Sequence, residues 1–178
     1  NDGVAAYVNN LKSRNEKITA HYQDLEHGSQ ITDVYVPTRE GFTVLGWWNA
    51  AGTQITDANG NAVGNAAITA TTKLYSRWTP KTFNLKYNAF RPNDSAGAVT
   101  SGTVGNLPTP NPQELKFGVA SSISSTVPTL TGYTFSGWSK TSGGTKAYDK
   151  GQALSASTVS QMYKDCGGET YNIYTVWT

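Results

Sequence analysis

The sequence predicts a mainly β chain of the α+β class, built from two small modules in tandem. Three observations predict it. The block "VPTREGFTVLGWW" (36–48) returns as "VPTLTGYTFSGWS" (127–139), with Val36 and Val127, and again Trp47 and Trp138, 91 positions apart. The segments between turn signals alternate apolar and polar residues with a period of two, the mark of a half-buried strand. The chain has ten Tyr and five Trp among 178 residues, with only 15% charged residues, a composition that suits pleated surfaces joined by many turns.

The duplication covers three blocks in the same order. "TKLYSRWT" (72–79) and "YNIYTVWT" (171–178) share Tyr-x-x-Trp-Thr at a separation of 99. "KITAHYQ" (17–23) and "TFNLKYN" (82–88) share alternating apolar residues ending in Tyr. A period shared by several ordered blocks marks a repeat architecture. The modules are therefore expected at 17–79 and 80–178. Residues 1–16 are read as an N-terminal extension or the tail of a preceding domain, helical through Val4, Tyr7, Val8 and Leu11.

Taken in order, 17–23 reads as a strand with Ile18, Ala20 and Tyr22 on one face. In 36–48 the glycines frame the strand. In the second copy, strict alternation would point Trp138 away from Tyr133 and Phe135, and Gly137 just before it supplies a bend that re-aims the indole. "DANGNAVGN" (57–65) carries Asn-Gly, a strong hairpin signal. In 72–79, Leu74 and Trp78 share one face and Tyr75 and Arg77 the other. The next strand, 82–88, follows at once, with Phe83, Leu85 and Tyr87 on one side. "RPNDSAG" (91–97) and "LPTPNP" (107–112) read as loops, and 141–151 as a hairpin arm. "SASTVSQMYKDCGG" (155–168) reads as the only helix of the second module, capped by Ser157, stopped by Gly167, and lined by Val159, Met162, Tyr163 and Cys166. In the last strand, Ile173, Thr175 and Trp177 share a face, with Tyr174 and Val176 opposite.

The run Pro-Thr-x-x-Gly-Tyr-x-Phe-x-Gly-Trp in 128–138, closed by Tyr-x-x-Trp-Thr in 174–178, resembles the Listeria-Bacteroides repeat, also called the internalin B-repeat family. The likeness covers 81–178 and about 17–79. The first copy departs at Val44, where the pattern has an aromatic, and at Trp48, which follows the first indole. The resemblance implies two small β-grasp, ubiquitin-like modules. It also implies a place in long secreted proteins of bacterial surfaces, where such modules serve as stalks or spacers and some contribute to adhesion or virulence. It implies no catalytic residue and no cofactor.

The residues singled out are aromatic. Phe42, Trp47, Trp78, Tyr133, Phe135, Trp138, Tyr174 and Trp177 recur at repeat positions and are read as the structural core of the repeat. Trp48 faces Ser139 in the alignment and is read as a partner contact, either to a neighbouring module or as a platform for a host protein or glycan. Asp57, Asn59 and Asn61 begin like a calcium loop, but Ala62 and Ile68 stand where its glycine and closing glutamate belong, so a hairpin turn is expected. His21 and His27 lack enough neighbouring ligands for a metal. Cys166 reads as a small hydrophobe at a helix end.

The bulk properties exclude several classes. A net charge of +2 with scattered Lys and Arg gives no footprint for nucleic acid. One cysteine permits no intrachain disulfide. No apolar run nears the roughly 20 residues that cross a bilayer. The chain opens on Asn1 without a signal segment and is read as an excerpt of a longer protein. The expected function is non-enzymatic structural support, extracellular, in a bacterial cell-surface or secreted protein. The alternatives are a host-protein or glycan binding module, and an accessory region of a secreted enzyme.

Overall fold

A computed structural model of the chain describes residues 4–9, 21–25, 27–31, 34–64, 70–92 and 103–178. The architecture is mainly β, with several sheets and one short helix among the described residues. The chain divides into two compact units, Asn1–Thr79 and Pro80–Thr178.

The second unit grows from strand β6 (Thr82–Asn88), whose alternation is carried through to the fold: Phe83, Leu85 and Tyr87 are buried and Thr82, Asn84 and Lys86 exposed. It pairs antiparallel with β7 (Gln113–Lys116) and parallel with β12 (Thr170–Trp177), in the register Leu85↔Tyr171 and Tyr87↔Ile173. On its other side β12 pairs antiparallel with β9 (Phe135–Ser139), which carries β10 (Lys146–Tyr148) at the sheet edge. The sheet order is β10-β9-β12-β6-β7. A small second sheet joins β8 (Ser121–Ser122) to β11 (Ala153–Leu154).

Helix α1 (Ala156–Asp165) packs Val159 and Met162 into the core, with Tyr163 and Cys166 half-buried against it. Its N-cap is Ser155 rather than the expected Ser157. The Ser155 hydroxyl accepts the Thr158 N–H at 3.1 Å, and Ser157 only bonds that hydroxyl from the side. A cap must stand outside the helix with extended backbone, and Ser155 has ψ 159°. Beyond the helix, Gly167 and Gly168 take positive φ of 63° and 79°, as helix ends require of their terminal residues. The core of this unit joins Phe83, Leu85, Tyr87, Leu115, Ile123, Trp138, Tyr148, Leu154, Val159, Met162, Tyr171 and Ile173.

The first unit repeats the sheet. Strands β1 (Val4–Asn9), β2 (His21–Leu25), β3 (Phe42–Trp48), β4 (Gln54–Thr56) and β5 (Thr72–Pro80) lie in the order β2-β1-β5-β3-β4, with β1 and β5 parallel. Its described core joins Ile31, Val34, Trp47 and Leu74.

This unit overturns two expectations. Val4–Asn9, expected as a helix in an extension before the first module, is a strand inside its sheet. The spacing Val4, Tyr7, Val8 fits a helical face, but Val4, Ala6 and Val8 also alternate, and the open neighbours on β2 and β5 decide for the strand. Residues 10–16 of that segment lie outside the described residues.

The strand of the first copy that corresponds to β6 is therefore β1, not 17–23. Asn9 pairs Tyr75 just as Asn88 pairs Tyr174. His21–Leu25 instead takes the place of β7: Gln23-Asp24-Leu25 matches Gln113-Glu114-Leu115, and each triplet is followed by a positive-φ glycine, Gly28 or Gly118. Residues 17–20 lie outside the described residues.

Candidate functional site

The Gly137–Trp138 pair is a bulge that seats an indole, and Gly46–Trp47 repeats its positive-φ glycine. Gly137 has φ 147° and Gly46 φ 119°, conformations that side-chain-bearing residues avoid. A Cβ on Gly137 would lie 2.6 Å from both the Tyr148 carbonyl oxygen and the Lys146 Cδ. A Cβ on Gly46 would meet the Thr56 carbonyl oxygen and, at 2.8 Å, the Asp57 carbonyl carbon. The pairing of β12 with β9 steps from Val176↔Gly137 to Trp177↔Phe135, so one residue of β9 is left over. That extra residue turns Trp138 to the same side as Phe135.

The consequence is burial. Trp138 is 0% exposed and Trp47 1%. Trp138 meets Tyr87 edge-to-face at 4.8 Å and Phe135 at 5.2 Å between ring centroids. Sheltering an indole of about 200 Å² is worth up to roughly 5 kcal/mol at about 25 cal/mol per Å². The two indoles differ in one respect. Trp47 Nε1 donates to the Tyr35 carbonyl at 2.9 Å, whereas Trp138 Nε1 has no acceptor.

The second tryptophan of each copy is half-buried and anchored by its N–H. Trp78 Nε1 donates to Ser76 Oγ at 2.9 Å. Trp177 Nε1 donates to the Phe90 carbonyl at 2.7 Å and to Thr175 Oγ1 at 3.1 Å. Ser76 and Thr175, both 1% exposed, occupy the same place in the two copies. Sequence reasoning did not mark this pair, although a hydroxyl two residues before each of these tryptophans is its signal.

Of the remaining aromatic positions, Phe135 packs on the core and meets Trp177 edge-to-face at 5.7 Å. Phe42 is half-buried with the Arg39 guanidinium 4.0 Å from its ring centre. Tyr133 and Tyr174 are half-buried and outside the core cluster. Trp48 is half-buried, and the Arg77 guanidinium sits 4.8 Å from its centroid in cation–π contact. The positions of Trp48 and Arg77 hold Ser139 and Val176 in the second unit.

The polar candidates take structural places. Asp57 closes a hairpin turn: its Oδ1 accepts the N–H groups of Asn59 and Asn61 at 2.8 and 2.9 Å, and its Oδ2 accepts Asn61 Nδ2 at 3.3 Å. The Asn61 backbone N–H above all holds this carboxyl below its ordinary pKa. His27 is exposed in a turn. Cys166 caps α1, and its thiol donates to the Tyr163 carbonyl at 3.4 Å. Among the described residues no three His, Cys, Asp or Glu side chains gather as metal ligands would.

A cleft of ≈ 480 Å³ beside Tyr87, Pro108, Gln113 and Ser124 carries hydroxyl and amide groups but no carboxylate or imidazole. Its polar groups bond one another: Tyr87 Oη donates to Gln113 Oε1 at 2.6 Å and accepts the Ser124 N–H at 2.8 Å. Burial pushes the Tyr87 and Tyr171 hydroxyls above the ordinary tyrosine pKa. No helix among the described residues is long and apolar enough to cross a membrane.

Two copies of one sheet plan, each closed around a buried indole that follows a positive-φ glycine, define a tandem structural repeat. The chain belongs to the Listeria-Bacteroides repeat domain family, whose model matches residues 10–76 and again 83–160. The family is a repeat domain of bacterial proteins, without a known catalytic role. No curated protein and no solved structure matches the chain.

Proposed function

We propose that the chain is a non-enzymatic spacer region of a longer bacterial protein carried outside the cell, and that each unit is a β-grasp module. The observation that carries this is the parallel pairing of the first and last strands within each unit, β1 with β5 and β6 with β12. Parallel neighbours start at the same end of a sheet. A chain that enters at the start of β6 therefore leaves at the far end of β12, roughly 25 Å away for a strand of this length. A module with its ends on opposite sides adds its own length to the chain, which is what a spacer requires. The strand order, with the terminal strands side by side at the centre, supports the β-grasp reading.

The first partners of such a region are the neighbouring domains of the same chain. Concatemers of two, four and six units, measured by small-angle X-ray scattering, test the proposal. The maximum dimension is expected to grow by a steady increment per unit. A globule whose dimension grows only as the cube root of mass would sink it.

A second reading, docking of a host protein or glycan, is favoured by one observation. The Trp48–Arg77 pair is replaced by Ser139 and Val176 on the same scaffold in the second unit. A pair the scaffold does without is available to a partner. Host-protein and glycan arrays probed with the wild type and with Trp48→Ser test it. Specific binding lost in the variant supports docking; background signal from both proteins removes it.

A further inference from the structure

We propose that each unit is a load-bearing element, with the parallel strand pair β6·β12 acting as the shear clamp of the second unit and β1·β5 as that of the first. The inference rests on the spacer reading, because force reaches a module of this kind through its two ends.

Tension on the second unit pulls β6 by its start, next to Lys81, and β12 by its end, at Thr178. The two strands are parallel neighbours from Asn84↔Thr170 to Asn88↔Tyr174. Opposite pulls on such a pair slide the strands along each other. The ladder bonds lie across that motion, so they resist together instead of opening one by one. The same holds for Ala6↔Thr72 to Asn9↔Tyr75 in the first unit.

Side chains reinforce the β6·β12 pair at the end where force enters β12. Asn88 Nδ2 crosses the ladder to Asn172 Oδ1 at 3.0 Å and to the Ile173 carbonyl at 3.2 Å. Past the last ladder bond, the Phe90 N–H donates to Thr175 Oγ1 at 2.8 Å, and Thr175 Oγ1 donates back to the Phe90 carbonyl at 3.0 Å. That carbonyl also receives Trp177 Nε1 at 2.7 Å. Thr178 is held by two backbone bonds to Thr134, at 2.8 and 3.0 Å. The half-buried tryptophan of the repeat motif is thus a latch on the loaded end of the final strand.

The test is single-molecule force spectroscopy on the full chain in a Cys166→Ser background, with two handle geometries. N-terminal and C-terminal handles load β6·β12 in shear. An N-terminal handle with a second handle on Glu169→Cys, at the start of β12, peels the same strands apart from one end. The second unit is expected to unfold at a clearly higher force in the shear geometry, because the ladder bonds then resist together. Trp177→Phe is expected to lower the shear force and leave the peeling force unchanged, because peeling starts at the end away from the latch. Equal forces in the two geometries, or a Trp177→Phe loss that appears equally in both, would overturn the clamp. Compact concatemers in the scattering experiment would instead count against the spacer reading and leave the force ratio untouched.

Discussion

Gly137 in β9 and Tyr148 in β10 approach so closely that a methyl group on the glycine would lie 2.6 Å from the tyrosine carbonyl oxygen. The pair explains why the repeat writes Gly before Trp. The glycine both allows a backbone turn that re-aims the indole and leaves room for the edge strand.

Replacing that glycine should therefore be costly, and more so than replacing the other glycine of the same motif. Gly137→Ala is expected to lose about 2–4 kcal/mol, from positive-φ strain and a backbone clash together. Gly132 also has positive φ, at 83°, but nothing lies within 4 Å of its Cβ position. Gly132→Ala should cost only about 1 kcal/mol. Urea denaturation followed by tryptophan fluorescence measures both, and equal losses would contradict the packing argument.

Truncating Trp138 to Ala is expected to remove about 3–5 kcal/mol. Near-wild-type denaturation of that variant would show that the indole carries no core packing.

The two buried indoles should respond differently to Phe. Trp47→Phe removes the hydrogen bond that the indole N–H donates to the Tyr35 carbonyl, whereas Trp138→Phe removes an N–H that has no acceptor. With similar loss of packing, Trp47→Phe should be the more destabilising by about 1 kcal/mol. Hydrogen exchange read by mass spectrometry places each loss on its own unit.

The Asp57 turn predicts an acid response. Its folded-state pKa is depressed, chiefly by the Asn61 N–H. Such a group stabilises the fold above its unfolded pKa, and the contribution fades as pH falls through the lower folded value. In NMR titration the amides of Asn59 and Asn61 should shift with a midpoint below that of an ordinary Asp, and Asp57→Ala should abolish the step. A midpoint at or above the ordinary value would contradict the hairpin hydrogen bonds.

At the alkaline end the sign reverses. Burial raises the Tyr87 hydroxyl; it also raises that of Tyr171, with a further contribution from the Tyr148 hydroxyl 3.0 Å away. A raised pKa gives stability that is complete below the unfolded value of about 10 and lost as pH climbs toward the folded one. The second unit should therefore melt at lower temperature above that pH, and Tyr87→Phe should flatten part of the slope.

The duplication, the mainly β class, the family and the bend at Gly137–Trp138 are all legible in the chain before it folds. Those follow from local signals: a 91-residue spacing, a period of two, and glycines set beside indoles. The capped helix was legible to within two residues, because its apolar face and terminal glycines are also local.

Pairing decided the rest. Val4–Asn9 reads as helix from its local spacing, and its pairing with β2 and β5 makes it a strand. The kinship of 21–25 with 113–116 was hidden because alternation is common to every strand, while register comes from partners distant in the chain. For the same reason the sequence showed Trp47, Trp78, Trp138 and Trp177 as one class. Tertiary structure divided them into two buried core indoles and two half-buried ones, of which Trp177 reaches across to Phe90, because depth depends on what the rest of the fold places over a ring, and no local pattern encodes that.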